Sequence, residues 1–143
     1  MKVKDIMSES IISCSLDASI YEVASLMQEY NIGFIVIDDL KGVITDRDLI
    51  KPLLNHDDKI KNYISSKVIT INEDDSIMSA LKLMGKHKIK RLVVVNKGIV
   101  GVLSLSDIIN HVDDNLIIKT IKEIWSIHDN KNEKSSHIDE FYL

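Results

Sequence analysis

The chain repeats itself once, and that repeat decides most of what it can fold into. Residues 2–38 laid on residues 59–95, an offset of 57, give 11 identities in 37 positions. They are Lys2/Lys59, Lys4/Lys61, Ser8/Ser65, Ile12/Ile69, Asp17/Asp74, Ser19/Ser76, Ile20/Ile77, Leu26/Leu83, Met27/Met84, Ile32/Ile89 and Val36/Val93. The offset then becomes 59, and Gly42/Gly101, Val43/Val102, Asp48/Asp107 and Ile50/Ile109 match, with Thr45 opposite Ser104. The hairpin at Asp38–Gly42 is accordingly expected to be two residues longer in the second copy. Self-similarity at a fixed offset means one structural unit used twice.

Each copy reads β-α-β-β-α. A short β-rich run (Ile11–Cys14, then Val68–Ile71) is followed by a polar cluster with Asp. Ser19 and Ser76 stand at helix N-cap positions, and Glu22 completes a capping box in the first copy. Apolar residues then recur at helical spacing: Ile20, Val23, Ala24 and Met27, and Ile77, Ala80, Leu81 and Met84. Two β-rich runs come next, Phe34–Ile37 with Val43–Thr45, and Leu92–Val95 with Ile99–Leu103. A second helix is expected from Asp46 and from Leu105, with Pro52 ending or bending the first of these. The pattern predicts an α+β fold of two β-α-β-β-α repeats packed with pseudo-twofold symmetry, leaving a cleft between them. Repeat 1 is assigned to residues 1–54, and the linker (55–61) with repeat 2 to 55–112. Residues 113–143 form a C-terminal helix and tail, the helix expected over 113–128. Asp113 and Asp114 suit its N-terminus. Ile117, Ile121, Ile124 and His128 share a face flanked by Ile118 and Trp125, which needs burial because so short a helix is marginal in water. Residues 130–136 are polar, and the end, 138–143, is acidic and aromatic.

Composition narrows the function classes. With 143 residues, 45% hydrophobic and 28% charged, there is material for a shared core. The longest apolar runs are about five residues against the roughly 20 of a membrane span. The start, Met1-Lys2-Val3-Lys4-Asp5, lacks the apolar region of a secretory signal. A cytoplasmic protein with no membrane partner is expected. A net charge of −4 argues against a nucleic-acid partner. Cys14 is alone, which excludes an intrachain disulfide and a cysteine zinc site.

The catalytic inventory is poor. His56, His87, His111, His128 and His137 are scattered, with no metal-ligand spacing. No phosphate-binding glycine loop and no nucleophile elbow occurs. Cys14 lies in an apolar run and reads as an inert thiol. No catalytic residue, no metal and no required cofactor is assigned, and the chain is not expected to be an enzyme.

Two features remain. The first is the pair Thr45-Asp46-Arg47-Asp48 and Ser104-Leu105-Ser106-Asp107, each at a strand's end. Thr-x-x-Asp and Ser-x-x-Asp are capping boxes in their own right. Equally, a carboxylate one turn into a helix can accept two ribose hydroxyls, as in dinucleotide folds. The residues alone leave both readings open. The second is charge asymmetry. From Ser76 to Ser106 there is no acid, but there are Lys82, Lys86, Lys88, Lys90, Arg91 and Lys97. The matching stretch of the first copy has Glu22, Glu29, Asp38 and Asp39 against Lys41. Lys90 and Arg91, at the start of an apolar strand, are placed to meet phosphate oxygens.

These residues resemble a known family. The chain is similar to a tandem pair of cystathionine-β-synthase (CBS) domains, a Bateman module of the stand-alone bacterial or archaeal type. The resemblance covers residues 1–112 and rests on Lys4-Asp5-Ile6-Met7, on Gly42-Val43-Ile44-Thr45-Asp46-Arg47-Asp48-Leu49, and on Gly101-Val102-Leu103-Ser104-Leu105-Ser106-Asp107-Ile108. Ile89-Lys90-Arg91-Leu92 is similar to a strand start in the γ subunit of AMP-activated protein kinase. The chain departs from the family at Val36 and Val93, where Pro is common. The resemblance implies a sensor of an adenosine-containing ligand (AMP, ADP, ATP or S-adenosylmethionine) that signals by changing shape. It assigns Ser104, Ser106 and Asp107 to one cleft, beside Val102, with Ser10, Ile12, Ile32 and Gly33 around the adenine. It assigns Thr45 and Asp48 to the other, with Lys67, Ile69, Ile89 and Lys90 opposite. Lys90 and Arg91 serve phosphates. It further implies a homodimer through exposed helix faces and an effector protein. The alternative is a ligand-free dimerisation and protein-interaction module.

Overall fold

The computed structural model describes residues 1–125. The first repeat supplies β1 (Ser13–Cys14), α1 (Ile20–Tyr30), β2 (Phe34–Ile37), β3 (Gly42–Thr45), a 3₁₀ turn at Arg47–Leu49 and α2 (Ile50–Leu54). The second supplies β4 (Thr70–Asn72), α3 (Ile77–His87), β5 (Arg91–Val95), β6 (Ile99–Ser104) and α4 (Leu105–Ile109), followed by α5 (Asp114–Trp125). The strands form two three-stranded sheets of the same order, β1-β2-β3 and β4-β5-β6. In the first, β1 runs parallel to β2 with Ser13 opposite Val36, and β2 antiparallel to β3 with Phe34 opposite Thr45. The fold is α+β, with the repeated element order that the sequence predicts.

Local signals account for the helices. Ser19 Oγ accepts the Glu22 N–H at 3.1 Å and Glu22 Oε2 accepts the Ser19 N–H at 3.1 Å, a closed capping box. Ser76 Oγ accepts the Ser79 N–H at 3.1 Å. Both helices stop at left-handed residues one offset apart, Asn31 (φ 51°) and Lys88 (φ 57°). The residue after each then donates back to equivalent carbonyls, Ile32 N–H to Met27 O and Ile89 N–H to Met84 O, both at 3.0 Å.

By contacts the chain forms two compact units, and they do not follow the repeats. One comprises Met1–Met7, Ile71–Leu92 and the residues from Leu103 on; the other Ser8–Thr70 and Val93–Val102. Each repeat gives its leading segment to the other, and the stretch Val93–Val102 of the second repeat also joins the first repeat's unit. Lys2 bridges to Ser76 in the first unit, and Lys59 bridges to Ser19 in the second. The Ile77 N–H donates to Met1 O at 3.2 Å, and the Ile20 N–H to Asp58 O at 2.9 Å. Each contact is the other moved by the offset of 57. Ser8 pairs with Val102 and Ser65 with Val43 in the same way, all within the second unit. At the latter pairing Gly42 is needed, because a Cβ there would lie 2.8 Å from Ser65 O. In the first unit Lys4 Nζ reaches Asp74 Oδ1 at 3.0 Å across an exposed surface. That contact raises the Lys4 pKa and lowers that of Asp74.

The hydrophobic core follows the same exchange. Val23, Met27, Ile35, Ile37 and Ile44 of the first repeat enclose Ile60, which precedes the second. Its counterpart Val3 is equally inaccessible in the other unit. That unit also carries α5, which packs on α3 and buries Ile117 and Thr120. Thr120 Oγ1 satisfies itself on Leu116 O at 3.0 Å. Gly85 faces α5, where the nearest atom to a Cβ would be the end of the Glu123 side chain. Lys88 Nζ, at the C-cap of α3, donates to Glu123 O.

Several expectations change. The leading strands are shorter than expected: Ile12 and Ile69 only accept one bond each, from the Val36 and Val93 N–H groups, at 3.3 and 3.2 Å. Pro52 does not end α2. It sits, buried, in the first turn, where a missing N–H leaves no bond unmade. The added residues of the second hairpin lengthen its strands rather than its loop, which spans 96–98 against 38–41. The first loop, one residue longer, takes three successive residues, Asp38, Asp39 and Leu40, to positive φ. The expected helix over 113–128 is α5; residues 126–128, the stretch 130–136, His137 and the aromatic end lie outside the described residues.

Truncating the exchanged anchors should unfold the recipient helix, not the donor repeat. Ile60→Ala is expected to cost about 2–5 kcal/mol in urea denaturation. Amide hydrogen exchange should then accelerate first along α1.

Candidate ligand-binding site

The two paired motifs fold into the same corner, a strand running into a helical turn. In the first unit, Ser104 ends β6 and caps α4. Its Oγ accepts the Asp107 N–H at 3.1 Å, and its own N–H donates to Asp107 Oδ2 at 2.9 Å. Ser106 Oγ lies 2.8 Å from Ser104 Oγ, so the two hydroxyls share a proton contact. The Leu105 N–H donates to Lys90 O at 2.8 Å, which fixes the start of β5 against this cap. The corner therefore gathers Lys90, Ser104, Ser106 and Asp107, with Arg91 and Ile89 beside Lys90 in sequence. All are half-buried except Ser106, which is exposed.

The second unit builds its own corner. The Asp46 N–H donates to Gly33 O at 3.1 Å, the exact counterpart, by offset, of the Leu105–Lys90 bond. The Thr45 N–H and Oγ1 both donate to Asp48 Oδ2, at 2.9 and 3.0 Å. The expected capping box is therefore only half made. Thr45 spends its hydroxyl as a donor, Asp46 Oδ1 accepts the Arg47 N–H at 2.9 Å instead, and the chain turns as 3₁₀ before α2. The same unit holds Ser10, Ile12, Ile32, Gly33, Lys67, Ile69 and Val102. Ser10 and Lys67 are exposed and the others half-buried. Ile12 and Ile69 use their carbonyls on the neighbouring strand, and Val102 is held by Ser8 in both directions at 2.9 Å.

Asp48 and Asp107 thus each commit Oδ2 to their own corner. Among the described residues, no hydrogen bond is made to Oδ1 of either. A carboxylate in this state is oriented, partly accessible and retains an acceptor, which is what a ribose diol requires.

The corners differ in charge. Gly33 and Phe34 of the second unit stand where the first has Lys90 and Arg91, and Asp46 stands where the first has Leu105. A Cβ at Gly33 would lie 3.0 Å from Asp46 Oδ2. One corner therefore has two basic residues in the adjoining chain beside its carboxylate, and the other has a second carboxylate with Arg47 between the two. Sequence reasoning missed Asp46. Its signal was the Gly33/Lys90 mismatch, but nothing local says that this backbone touches residue 46.

The CBS domain family model matches residues 3–55 and again 60–114. The chain belongs to the CBS-domain family. It is 33% identical over 120 residues to the uncharacterized protein YlbB of Bacillus subtilis, covering 75% of this chain and 79% of that one. Among solved structures, the CBS domain pair of protein MJ0100, in complex with 5′-methylthioadenosine and S-adenosyl-L-methionine, is 31% identical, with a TM-score of 0.69 over 76% of this chain and 92% of that one. The CBS domain protein PAE2072 from Pyrobaculum aerophilum, complexed with AMP, gives a TM-score of 0.68 at 24% identity, over 84% and 98% of the two chains; it supports the fold. CBS-domain pairs are typically regulatory units, and some are attached to enzymes. Among the described residues no helix is long and apolar enough to cross a membrane.

Cys14, in β1 of the second unit, is half-buried. Burial, with Asp38 and Glu22 nearby, pushes its thiol up to about 11. The folded protein holds this proton where the unfolded chain has lost it, so Cys14 withdraws stability as pH rises from 9.0 towards about 11. Because the thiolate is the nucleophile, alkylation by iodoacetamide at pH 8 should run roughly ten to a hundred times slower than for a free cysteine. Its rate should climb until about pH 11. A rate at pH 8 equal to that of glutathione would place Cys14 in a different environment.

Proposed function

We propose that the protein is a regulatory module that binds an adenosine-containing ligand, AMP, ADP, ATP or S-adenosylmethionine, and signals by a change of shape. The observation that carries this reading is the Lys90–Leu105 backbone bond. Two hydroxyls and an oriented carboxylate stand at that corner, with the basic residues Lys90 and Arg91 in the adjoining chain, and the chemistry of a nucleotide matches that set. Asp107 accepts ribose hydroxyls through Oδ1, Ser104 and Ser106 contact ribose and phosphate, and Lys90 with Arg91 receive phosphate. Thr45 and Asp48 offer a second, more acidic position. The MJ0100 pair, which holds adenosyl ligands, supports the same ligand class at 31% identity. A ligand changes the shape equilibrium only by its difference in affinity for the shapes. We place the protein in the cytoplasm, acting on an effector protein.

One observation favours a second reading. Asp107 and Asp48 already satisfy their own corners through Oδ2, so both motifs serve the fold with no ligand present. On that reading the chain is a ligand-free interaction module.

A ligand panel separates the two. At 100 times its dissociation constant, the true ligand should add about 2.7 kcal/mol to stability, read as a rise in melting temperature. Silence from AMP, ADP, ATP and S-adenosylmethionine at millimolar concentration leaves the interaction module. Asp107→Asn keeps an acceptor for the Ser104 N–H, so the melting point without ligand should stay close to normal. Its ligand affinity should fall by about 1.5–3 kcal/mol per ribose bond lost, measured by calorimetry. Arg91→Ala should weaken AMP more than adenosine, and added salt should narrow that gap.

A further inference from the structure

Both ends of α5 are fastened to the Asp107 corner, and every contact involved lies within the first unit. At its start, the chain leaves Asp107 through the rest of α4 and residues 110–113. The His111 N–H donates to Ile108 O at 2.8 Å, and His111 Nδ1 lies 2.9 Å from Asp107 O. Asp113 then opens α5: its carbonyl accepts the Leu116 and Ile117 N–H groups, both at 3.2 Å, and its Oδ1 accepts the Asn115 N–H at 2.9 Å. At the other end, Glu123 O in the last turn accepts from Lys88 Nζ. Lys88 is the C-cap of α3 and stands two residues before Lys90, whose carbonyl holds the Leu105 N–H. The path is closed: from Asp107 through α4 to α5, across to Lys88, and through Lys90 back to the cap that Ser104 and Asp107 form. The family match ends at residue 114, so α5 is an addition to the duplicated unit.

We infer that α5 reads the state of the Asp107 corner: a ligand there tightens the seat of α5 on α3, and an undocked α5 weakens the ligand. This rests on the ligand-binding role proposed above for that corner. A helix of 12 residues is marginal in water by itself, so α5 has an undocked state for the corner to bias. Ligand and helix order the same two segments, 88–91 and 104–111. Whichever arrives first has already met part of the ordering cost of the other, so each favours the other. The effect is reciprocal by linkage.

Hydrogen exchange of the full chain, read by mass spectrometry, tests this alongside calorimetry with AMP, ADP, ATP and S-adenosylmethionine. A ligand that gives heat, added at about 100 times its dissociation constant, should slow exchange over 114–125 by about fivefold or more. Two variants take their residues from the equivalent places on α1. Lys88→Asn keeps a left-handed cap, as Asn31 does, and removes the bond to Glu123. Gly85→Gln, after Gln28, puts a side chain between α3 and α5 and leaves the corner untouched. Each should speed exchange over 114–125 without ligand and weaken binding by about fivefold or more, with a circular dichroism melt that stays cooperative. Heat without slower exchange in α5 overturns the inference and leaves the ligand site standing. Silence from all four ligands removes the site and the coupling together. A Gly85→Gln chain that frees α5 yet binds ligand like the parent also overturns the inference, and assigns any loss in Lys88→Asn to the missing charge.

Discussion

The exchange of leading segments is the contact on which everything else depends. Met1 and Lys2 complete the N-terminus of α3, and Asp58 and Lys59 complete that of α1. Helix starts leave backbone N–H groups without intrahelical partners. Here one of them at each helix is met by a carbonyl from outside the repeat. Val3 and Ile60 then seal the apolar side of the same junctions. A single repeat lacks both the carbonyl and the apolar plug, so neither half contains its own complete core. The corners inherit this arrangement, because β3 and β6 are flanked by the same borrowed segments through Ser65 and Ser8.

A general feature of the corners is that the ligand chemistry and the fold chemistry use the same atoms' neighbours. Asp107 contributes Oδ2 to its cap and keeps Oδ1; Asp48 does the same through Thr45. The cap supplies the orientation that a binding carboxylate would otherwise acquire at an entropic cost on binding. The two corners differ in the neighbours, not in the carboxylates. Replacing a Gly33-like position by Lys90 and an Asp46-like position by Leu105 changes the local sign while the backbone bond between those positions stays in place.

Much of the fold is legible in the sequence because it depends on local rules. Ser19 with Glu22 and the apolar spacing of α1 and α3 are one-turn signals, and the structure has them at those residues. Ser104 forms its box for the same reason, while Thr45 fails to because a hydroxyl can donate as well as accept. Pro52 misleads because a proline signal does not distinguish the first turn from the interior. The segment exchange was not legible at all. The identities Lys2/Lys59 and Ser19/Ser76 mark equivalent residues, but equivalence does not say that each pairs with the other copy's member. The corner residues were found through the repeated Gly-to-Asp motif, whereas Asp46 was visible only once its bond to Gly33 O was seen.

Gly85 breaks the internal symmetry at one point. Its counterpart on α1 is Gln28, and the counterpart of buried Leu81 is exposed Ala24. Gln28 is exposed, whereas Gly85 is buried on the helix against which α5 packs. Duplicated helices thus present unlike surfaces to a partner: α3 is thatched by α5, while α1 keeps Ala24 and Gln28 open to solvent.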